Sequence, residues 1–338
     1  MFYKIIIQGK LYFANKASYD KLVKMINNRN DVYYKNLIIH KELEFLDDEN
    51  FMIHIPRHVG NYTDKVWKNT VSLFENCAQF AISGRVFAWK IENGLILDEA
   101  VIEPTGDRSA VMYYQKGLKQ IAHGNDSEAF QSFNLSLEKC QRNPLAYERR
   151  AVVNMMQKNY VEAMEDFQKC IRIDETIAEA HYGIAKLLMY EREYDEALIY
   201  VENCIKHSIA LQSIHWQARR AKAEIHINNR EFNKAAFELK LLALRKFSEN
   251  NPNYLWKRAD FFNYGYVLYK LEDYENALAA FEKSLKIPQG KDDIPENKKL
   301  YYLGVTKKKC GKHGFISDIK KASEMGYEKA GKLLLELS

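Results

Sequence analysis

Asn159-Tyr-Val-Glu-Ala-Met-Glu-Asp-Phe decides the fold of this chain. Its alanine, Ala163, follows an aromatic residue by three positions and precedes Phe167 by four, and a second small residue, Ala151, lies 12 positions earlier. Two antiparallel helices joined by a short turn approach closely only where small side chains meet, and bulky neighbours then fill the gap to the next pair of helices. The segment therefore predicts a helix–turn–helix hairpin.

Five copies of this spacing follow one another after residue 110. The small pairs, each 12 positions apart, are Gly117 and Ala129, Ala151 and Ala163, Ala185 and Ala197, Ala223 and Ala235, and Gly265 and Ala277. Four positions after the second small residue stand Phe133, Phe167, Val201, Leu239 and Phe281. A single hairpin cannot bury its apolar face alone, so five in a row predict a stack in which each hairpin covers the next.

The period of the copies indicates a family. Ala129, Ala163 and Ala197 are spaced 34 residues apart, and the pattern returns in Glu193-Tyr-Asp-Glu-Ala-Leu and in Tyr274-Glu-Asn-Ala-Leu-Ala-Ala-Phe-Glu-Lys-Ser-Leu. These residues resemble tetratricopeptide repeats, which share that period. The resemblance implies a mostly α fold, with a right-handed α–α superhelix of about five to six hairpins over residues 110–338 that ends in a capping helix.

Departures from the period predict where the array is irregular. The third gap between successive second small residues is 38 and the fourth is 42, which places extra residues around His207–Ser213 and Phe247–Tyr254. Arg219 stands where the family has a bulky aromatic residue. After a loop at Gly290–Pro295, the chain predicts a sixth, degenerate hairpin and a closing helix.

Residues 1–105 lack the repeat and predict a small α+β domain. Strands are predicted at Phe2–Phe13 (as one strand or two), Leu37–His40, Phe51–Ile55, Arg85–Ile91 and Leu95–Ile102, and helices at Ser18–Asn27 and from an N-cap at Thr63 to about Ala81. Asn93-Gly94 between the last two strands is a strong hairpin signal. The order β-α-β-β-α-β-β makes a ferredoxin-like arrangement one candidate, with Pro104–Arg108 as the linker to the array at 110–338.

The strongest candidate for a metal-binding or catalytic site is His54-Ile-Pro-Arg-His58, with Asn61 and Asp64 nearby and His40 expected on a neighbouring strand. Two histidines four residues apart share a face only in a helix, and Pro56 predicts a strand end or loop here. A structural role is therefore favoured over a metal site, and no metal or cofactor is predicted. The sequence contains no GxGxxG, GxxxxGK[ST], HExxH or GxSxG motif, so no enzymatic activity is expected.

Composition is that of a folded protein with a mildly basic charge of +5 and a pI near 8.7. Five scattered cysteines without a CxxC pair favour a reducing compartment, and the absence of a signal peptide or a membrane-length apolar run favours a cytoplasmic location. Core roles are predicted for Cys170 and Cys204. Lys307-Lys308-Lys309 and Lys312 form the densest basic cluster, for which a solvated helix end is favoured over an RNA-binding surface.

The family resemblance implies that the first helix of each hairpin lines a concave, partner-binding face. The residues expected there are Tyr114, Leu118, Glu148, Val152, Met155, Tyr182, Lys186, Met189, Arg220, Glu224, Phe262, Tyr266 and Tyr269. This mixed aromatic, methionine and basic lining suits an amphipathic helix or an extended segment with an acidic group near Lys186 and Arg220. The alternative is that many of these aromatics are buried between repeats.

The leading functional prediction is a scaffold or adaptor that binds a peptide or helix of a partner protein in this concave face. One clamp variant of the family grips the C-terminal carboxylate of chaperones, but Tyr114 and Leu118 replace its first Lys and Asn, which disfavours that role. The alternative is a ligand sensor or cryptic enzyme in the N-terminal domain, with the array for targeting. RNA binding by the basic C-terminal end is a third, weaker hypothesis. No membrane partner is expected and a nucleic-acid partner is disfavoured, whereas the identity of the protein partner and the oligomeric state stay open.

Overall fold

The computed structural model describes residues 1–32, 37–38, 45–106, 108–288, 290–291 and 294–337. Most of the described chain is α-helix, preceded by an antiparallel sheet. The chain folds into two compact units, Met1–Glu175 and Thr176–Ser338. The first unit holds the sheet and two helical hairpins, and the second holds the hairpins that follow.

The N-terminal sheet has its strands in the order β2-β3-β1-β4-β5, with antiparallel neighbours throughout. Its elements are β1 Phe2–Tyr12, α1 Lys16–Val32, β2 Leu46–Asp47, β3 Met52–Thr63, α2 Asp64–Ala78, β4 Ser83–Glu92 and β5 Leu95–Ile102. Ile5 and Ile7 of β1, Leu22 of α1 and Phe74 of α2 are buried in one core. The ferredoxin-like assignment and a domain boundary near residue 105 stay predictions.

The strand predicted at Leu37–His40 is not present in its described part. Leu37 and Ile38 are buried but lie outside any strand, and residues 39 and 40, including the candidate His40, lie outside the described residues. The backbone N–H of Ile38 donates to the Thr70 hydroxyl of α2 at 3.0 Å instead of to a neighbouring strand. A short apolar run predicts burial here but not a β conformation.

Strand β3 is longer than the predicted Phe51–Ile55, because it pairs with β1 up to Thr63. The prediction of a strand end or loop at Pro56 is therefore wrong. Pro56 lies where the register between β1 and β3 shifts, after the Gly9–Ile55 pair and before the Ile7–His58 pair. The ladder is interrupted at that point, so the missing N–H of proline is accommodated.

Two local signals in the first unit act as predicted. The Thr63 hydroxyl accepts a hydrogen bond from the backbone N–H of Val66 at 3.4 Å, which caps α2, although the helix ends at Ala78 rather than near Ala81. Asn93 and Gly94 both have positive φ, at 50° and 79°. That pair of left-handed conformations makes the tight turn between β4 and β5, and Asn-Gly adopts it at low cost.

Helices pair in sequence to form the hairpins. They are α3 Ser109–Ala122 with α4 Asp126–Lys139, α5 Pro144–Met156 with α6 Tyr160–Ile173, α7 Ala178–Glu191 with α8 Tyr194–His207, α9 Ser213–Asn228 with α10 Phe232–Leu244, α11 Lys257–Lys270 with α12 Tyr274–Lys286, and α13 Glu296–Lys309 with α14 Phe315–Glu324. Helix α15, Glu328–Leu337, packs on α14 and closes the array. The sixth hairpin and the capping helix are confirmed.

Small residues meet bulky ones inside the hairpins, as the spacing predicts. A Cβ added to Gly117 would lie 2.6 Å from the ring of Phe133, and one added to Gly265 would lie 2.8 Å from the ring of Phe281. Both rings are buried, so each glycine lets the two helices of its hairpin approach closely. Ala163 is fully buried as well.

Within the first unit, the sheet is tied to the second hairpin by buried polar contacts. The Lys10 ammonium and the Tyr12 hydroxyl donate to the Asp174 carboxylate, at 2.7 and 2.8 Å, where α6 ends. The Ser83 hydroxyl donates to Asn143 Oδ1 at 2.6 Å, and the same oxygen caps α5. The sheet and the second hairpin are therefore joined by two polar anchors.

The extra residues lie where the longer gaps predict them. Residues 208–212 join α8 to α9, and residues 245–256, called here the insertion, join α10 to α11 and end in a short 3-10 turn at Tyr254–Trp256. Arg219, in the place of the family's aromatic residue, forms an ion pair with the buried Glu238 of α10. A charge pair therefore replaces aromatic packing in this hairpin.

Candidate functional site

An open cavity of about 990 Å³ lies in the second unit, along the first helices of its hairpins. We call it the groove. Its lining comes from α7, α9, α10, α11, the insertion and the chain around the start of α13: Tyr182, Lys186, Met189, Tyr190, Gln217, Arg220, Ala221, Ala223, Glu224, Ile227, Leu239, Pro252, Asn253, Trp256, Ala259, Asp260, Phe262, Asn263, Tyr266, Lys291, Ile294 and Lys298. A cavity of this size has room for several side chains of a bound segment.

Seven of the predicted concave-face residues line the groove. They are Tyr182, Lys186, Met189, Arg220, Glu224, Phe262 and Tyr266. Helix α7 brings Tyr182, Lys186 and Met189 to one side, because residues three and four apart share a helix face. Burial raises the pKa of the Tyr182 phenol to about 12, so its hydroxyl stays protonated at neutral pH. Phe262 is 2% exposed and packs on Phe281, which makes it a floor of the groove rather than a contact residue.

Arg220 is held by partners within the groove. Its guanidinium donates through Nε and Nη2 to the two carboxylate oxygens of Asp260, at 2.7 and 3.0 Å, and through Nη1 to Asn253 Oδ1 at 2.7 Å. Burial raises the pKa of Asp260 while Arg220 lowers it, and the bidentate contact keeps the pair ionic. Arg220 is therefore already paired within the protein, and an acidic ligand group near Lys186 and Arg220 stays a prediction.

The insertion forms one wall of the groove and is fastened at several points. Asn253 is 1% exposed, and its Nδ2 donates to the Ser213 hydroxyl at 3.0 Å. The Leu255 carbonyl accepts from the backbone N–H of Lys291 at 3.0 Å. A Cβ on Gly290 would lie 1.9 Å from that same carbonyl oxygen, so only glycine fits where the loop before α13 meets the insertion.

The insertion is also held by a half-buried lysine, Lys257, that directly follows its C-terminal end. The Lys257 ammonium donates to the carbonyls of Leu242, Ala243 and Arg245, at 2.6, 2.8 and 2.6 Å, which satisfies the end of α10. Burial lowers the pKa of Lys257 to about 8. Trp256, the preceding residue, places its ring 5.9 Å from the guanidinium of Arg220. The wall is thereby attached to both α10 and α9.

The charges left available in the groove are mostly positive. Lys186 and Lys291 are exposed and Lys298 is half-buried, and within the described chain none of these three lysines has an ion-pair partner. The Lys298 ammonium lies 6.0 Å from the centre of the Phe262 ring. Glu224 is exposed, and desolvation by the surrounding groove raises the pKa of its carboxyl. The groove therefore combines apolar surface with basic groups along its edge.

The predicted concave-face residues of the first unit are less accessible. Tyr114 and Glu148 are each 3% exposed, and burial raises the pKa of the Tyr114 phenol to about 12. Leu118, Val152 and Met155 are half-buried. Side chains as buried as Tyr114 and Glu148 cannot contact a peptide without a change of structure, so the proposal below does not use them. Tyr269 likewise packs against Tyr274 and Tyr302 rather than lining the groove.

The histidine candidates do not converge on one site. His54 is paired with Lys10 and His58 with Ile7, and the register shift between them turns the two rings to opposite faces of the sheet. Burial, with a smaller effect from Lys10, lowers the pKa of His54. His58 Nε2 lies 2.6 Å from the Tyr62 hydroxyl. The described part of the chain holds no cluster of three His, Cys, Asp or Glu side chains suited to a metal ion.

Asp64, the carboxylate near the two histidines in sequence, forms ion pairs with lysines of the sheet and of α2 instead. Its two oxygens accept from Lys90 at 3.0 Å and from Lys68 at 2.7 Å. Hydrogen bonds from Lys68 and Lys90 lower the pKa of this carboxyl. It is therefore held as an anion by two lysines rather than directed at a histidine.

All five cysteines are free thiols, and three of them are buried. Cys77 lies in the core beneath the sheet, while Cys170 of α6 and Cys204 of α8 lie seven positions after Ala163 and Ala197 in their hairpins. Burial raises the pKa of the Cys77 and Cys204 thiols well above the usual range. These thiols are packing groups in the folded protein.

Comparison with known proteins agrees with the repeat pattern. The family model of the tetratricopeptide repeat matches residues 261–290, which cover most of α11 and α12. PilF of Pseudomonas aeruginosa is similar in structure, with 16% identity and a TM-score of 0.55 over 68% of this chain and 98% of that one. The chain has the fold of a tetratricopeptide repeat array.

Two further solved structures share the repeat architecture. YrrB, described as a TPR protein with an unusual peptide-binding site, has 15% identity and a TM-score of 0.50, over 60% of this repeat protein and 96% of its own chain. PilW, a type IV pilus biogenesis factor, has 16% identity and a TM-score of 0.50, over 68% and 100%. No curated protein matches the sequence. Among the helices that the structure describes, none has the length and apolar character needed to cross a membrane.

Proposed function

We propose that this repeat protein is a non-enzymatic scaffold that holds a segment of a partner protein in the groove of its second unit. The observation that carries the proposal is a cavity of about 990 Å³ with walls fixed by the Arg220, Asn253 and Asp260 contacts and with apolar and basic groups on its surface. A preformed site of this kind loses little conformational entropy on binding, which favours recognition of a flexible segment.

The lining indicates the chemistry of the bound segment. Tyr182, Met189 and Ile227 offer apolar surface for bulky side chains, and the adaptable methionine suits anchors of more than one shape. Lys186 and Lys298 offer ammonium groups to acidic side chains of the same segment. An amphipathic helix or an extended segment with apolar anchors and at least one carboxylate meets both requirements.

Site-specific photo-crosslinking tests this proposal. A crosslinking amino acid at position 189, in the groove, should capture a partner segment, whereas the same amino acid at position 199 should not. Ile199 is the matched control, since it is an exposed apolar residue on a second helix, α8, and lies outside the groove. Mass spectrometry of the crosslinked peptide identifies the segment, which can then be synthesised.

Affinity measurements on the synthetic segment complete the test. Tyr182→Ala with Lys186→Ala should weaken binding at least about tenfold, as expected for the loss of an anchor contact and a charge contact. Ile199→Ala with Lys206→Ala, both exposed on α8, should leave the affinity unchanged. Equal crosslinking at positions 189 and 199, or equal affinities of the two double variants, would contradict the proposal.

The alternative of a ligand sensor or cryptic enzyme in the N-terminal domain gains no support from the geometry, because His54 and His58 face opposite ways. The same experiment can favour this alternative. Capture of a partner that depends on residues of the sheet and not on position 189 would indicate that the N-terminal domain is the functional domain. The cytoplasmic location stays a prediction from cysteine usage.

A further inference from the structure

The positive charge of the chain is concentrated at one end. Residues 296–338 contain ten lysines and five acidic residues, a net charge of +5, which equals the net charge of the whole chain. Residues 1–295 therefore carry equal numbers of basic and acidic side chains. The excess lies on the sixth hairpin and the closing helix, α13 to α15.

Seven of these ten lysines are exposed. In six of them the ammonium group makes no hydrogen bond, ion pair or ring contact within the described chain, and we call these six the lysine surface: Lys308, Lys312, Lys320, Lys321, Lys329 and Lys332. Two of the five acidic residues already form ion pairs with residues outside the lysine surface. Asp318 pairs with Lys307 and Glu296 pairs with Arg258, both at 2.7 Å. Glu324, Glu328 and Glu336 leave the local balance strongly positive.

Exposed apolar side chains lie among these lysines. Ile316, near the start of α14, is 55% exposed and follows Lys312 by four positions. Met325, just after α14, is 50% exposed and follows Lys321 by four. Ammonium groups interspersed with bulky apolar groups are the combination that lets a helical surface bind anionic headgroups and bury side chains at the acyl boundary.

The same region lacks two features that favour nucleic-acid recognition, arginine side chains and exposed aromatic rings. No arginine follows Arg258, so the bidentate guanidinium contacts that read phosphates and guanine are missing. The aromatic residues of this region, Tyr301, Tyr302, Phe315 and Tyr327, are buried or half-buried and do not form an exposed stacking platform.

We propose that the lysine surface binds an anionic membrane surface. This binding is peripheral, through α13 to α15, and is independent of the groove, because it rests on different residues. Several lysines act together by long-range attraction to anionic lipid, so the affinity should fall steeply as salt screens the charges.

Sedimentation of the full chain with lipid vesicles tests the proposal. The protein should co-sediment with phosphatidylcholine vesicles that contain about 30% phosphatidylserine, but not with phosphatidylcholine alone, and added salt should release it. Lys308→Gln, Lys312→Gln, Lys320→Gln and Lys329→Gln together should reduce partitioning at least about tenfold. The glutamines keep side-chain length and polarity, and circular dichroism and the unfolding midpoint confirm that the variant is folded.

A matched control distinguishes the effect of the lysine surface from the effect of the protein's total charge. Lys21→Gln, Lys116→Gln, Lys206→Gln and Lys240→Gln remove four exposed lysines elsewhere and give the same total charge. This control should bind vesicles like the parent. Equal loss in both quadruple variants, or no binding by the parent, would overturn the proposal. So would binding of a single-stranded RNA oligonucleotide without vesicle binding, which would assign the surface to nucleic acid.

The apolar residues supply a second readout. Ile316→Ser with Met325→Ser should weaken vesicle binding several-fold while its dependence on salt stays that of the parent, because no charge changes. An unchanged affinity would show that only the charges contribute and would contradict insertion of these side chains. Loss of groove binding in the earlier crosslinking experiment would leave this result untouched.

Discussion

At the scale of single residues, two of the hairpins are closed by a glycine that faces an aromatic ring. Gly117 on α3 faces Phe133 on α4, and Gly265 on α11 faces Phe281 on α12. The spacing in the sequence indicated which residues meet, because both members of each contact belong to the repeat. Sequence alone could not show that the ring lies close enough to exclude even a methyl group.

Gly117→Ala is expected to destabilise the protein by up to about 2 kcal/mol, although alanine is the better helix former. Overpacking against Phe133 costs about 1–3 kcal/mol, and the gain in helix propensity offsets about 1 kcal/mol of that. Gly331→Ala on α15 is the control, because the added Cβ would meet only the Ser323 hydroxyl, at 3.3 Å, and this change should be neutral or stabilising. Urea unfolding measures both.

Adding Phe133→Leu to Gly117→Ala should recover part of the lost stability, because the smaller side chain leaves room for the methyl group. If the double variant lost more stability than the two single variants lose together, the ring of Phe133 would not be the obstacle to the methyl group. This double-mutant cycle is informative because Gly117 and Phe133 are in direct contact.

At the scale of elements, Lys257 controls how α10 ends and the insertion begins. Its folded pKa of about 8 lies below the value of about 10.4 for an unfolded lysine. Between those pH values the unfolded chain binds more protons than the folded chain, so the free energy of unfolding should rise with pH across this window. Lys257→Met lacks this titration and also leaves three helix carbonyls without a donor.

The expected result for Lys257→Met is a loss of about 1–3 kcal/mol at neutral pH, from the three carbonyls. The stability gap between parent and variant should widen between pH 8 and pH 10, because only the parent gains stability in that range. Lys240→Met, an exposed lysine on the same α10, should show neither effect. A gap that narrows with rising pH would contradict the assignment of the titration to Lys257.

The elements also show what the sequence could predict. Hairpin positions, the α2 cap at Thr63 and the turn at Asn93-Gly94 follow from local patterns and are found. The insertion had no periodic pattern, so Asn253 and Trp256 could not be placed in the groove from sequence. Asp260 lies 40 residues from Arg220, and no spacing rule linked the two, so the neutralisation of Arg220 was missed.

At the scale of the whole molecule, the division into two compact units predicts separable responses to damage. Phe133 is 0% exposed in the first unit and Phe281 is 1% exposed in the second. Phe→Ala at either position should cost about 3–5 kcal/mol. In a repeat array each hairpin interacts mainly with its neighbours, so the damage should stay within one unit.

Hydrogen exchange read by mass spectrometry checks this. Phe133→Ala should speed exchange in α3 to α6 and leave α11 to α14 unchanged, and Phe281→Ala should do the reverse. Faster exchange throughout the chain in either variant would mean that the protein unfolds as one cooperative block. A surface change such as Ile199→Ala serves as the reference for both.

Cys170 and Cys204 have a consequence for how such openings can be followed. They occupy the same place in successive hairpins, yet one lies in each unit, and both are fully buried. An alkylating reagent can therefore reach each thiol only when the helices around it separate. The alkylation rate of each thiol therefore measures how often its own unit opens. The ratio of the two rates shows which unit opens more readily, without any attached label.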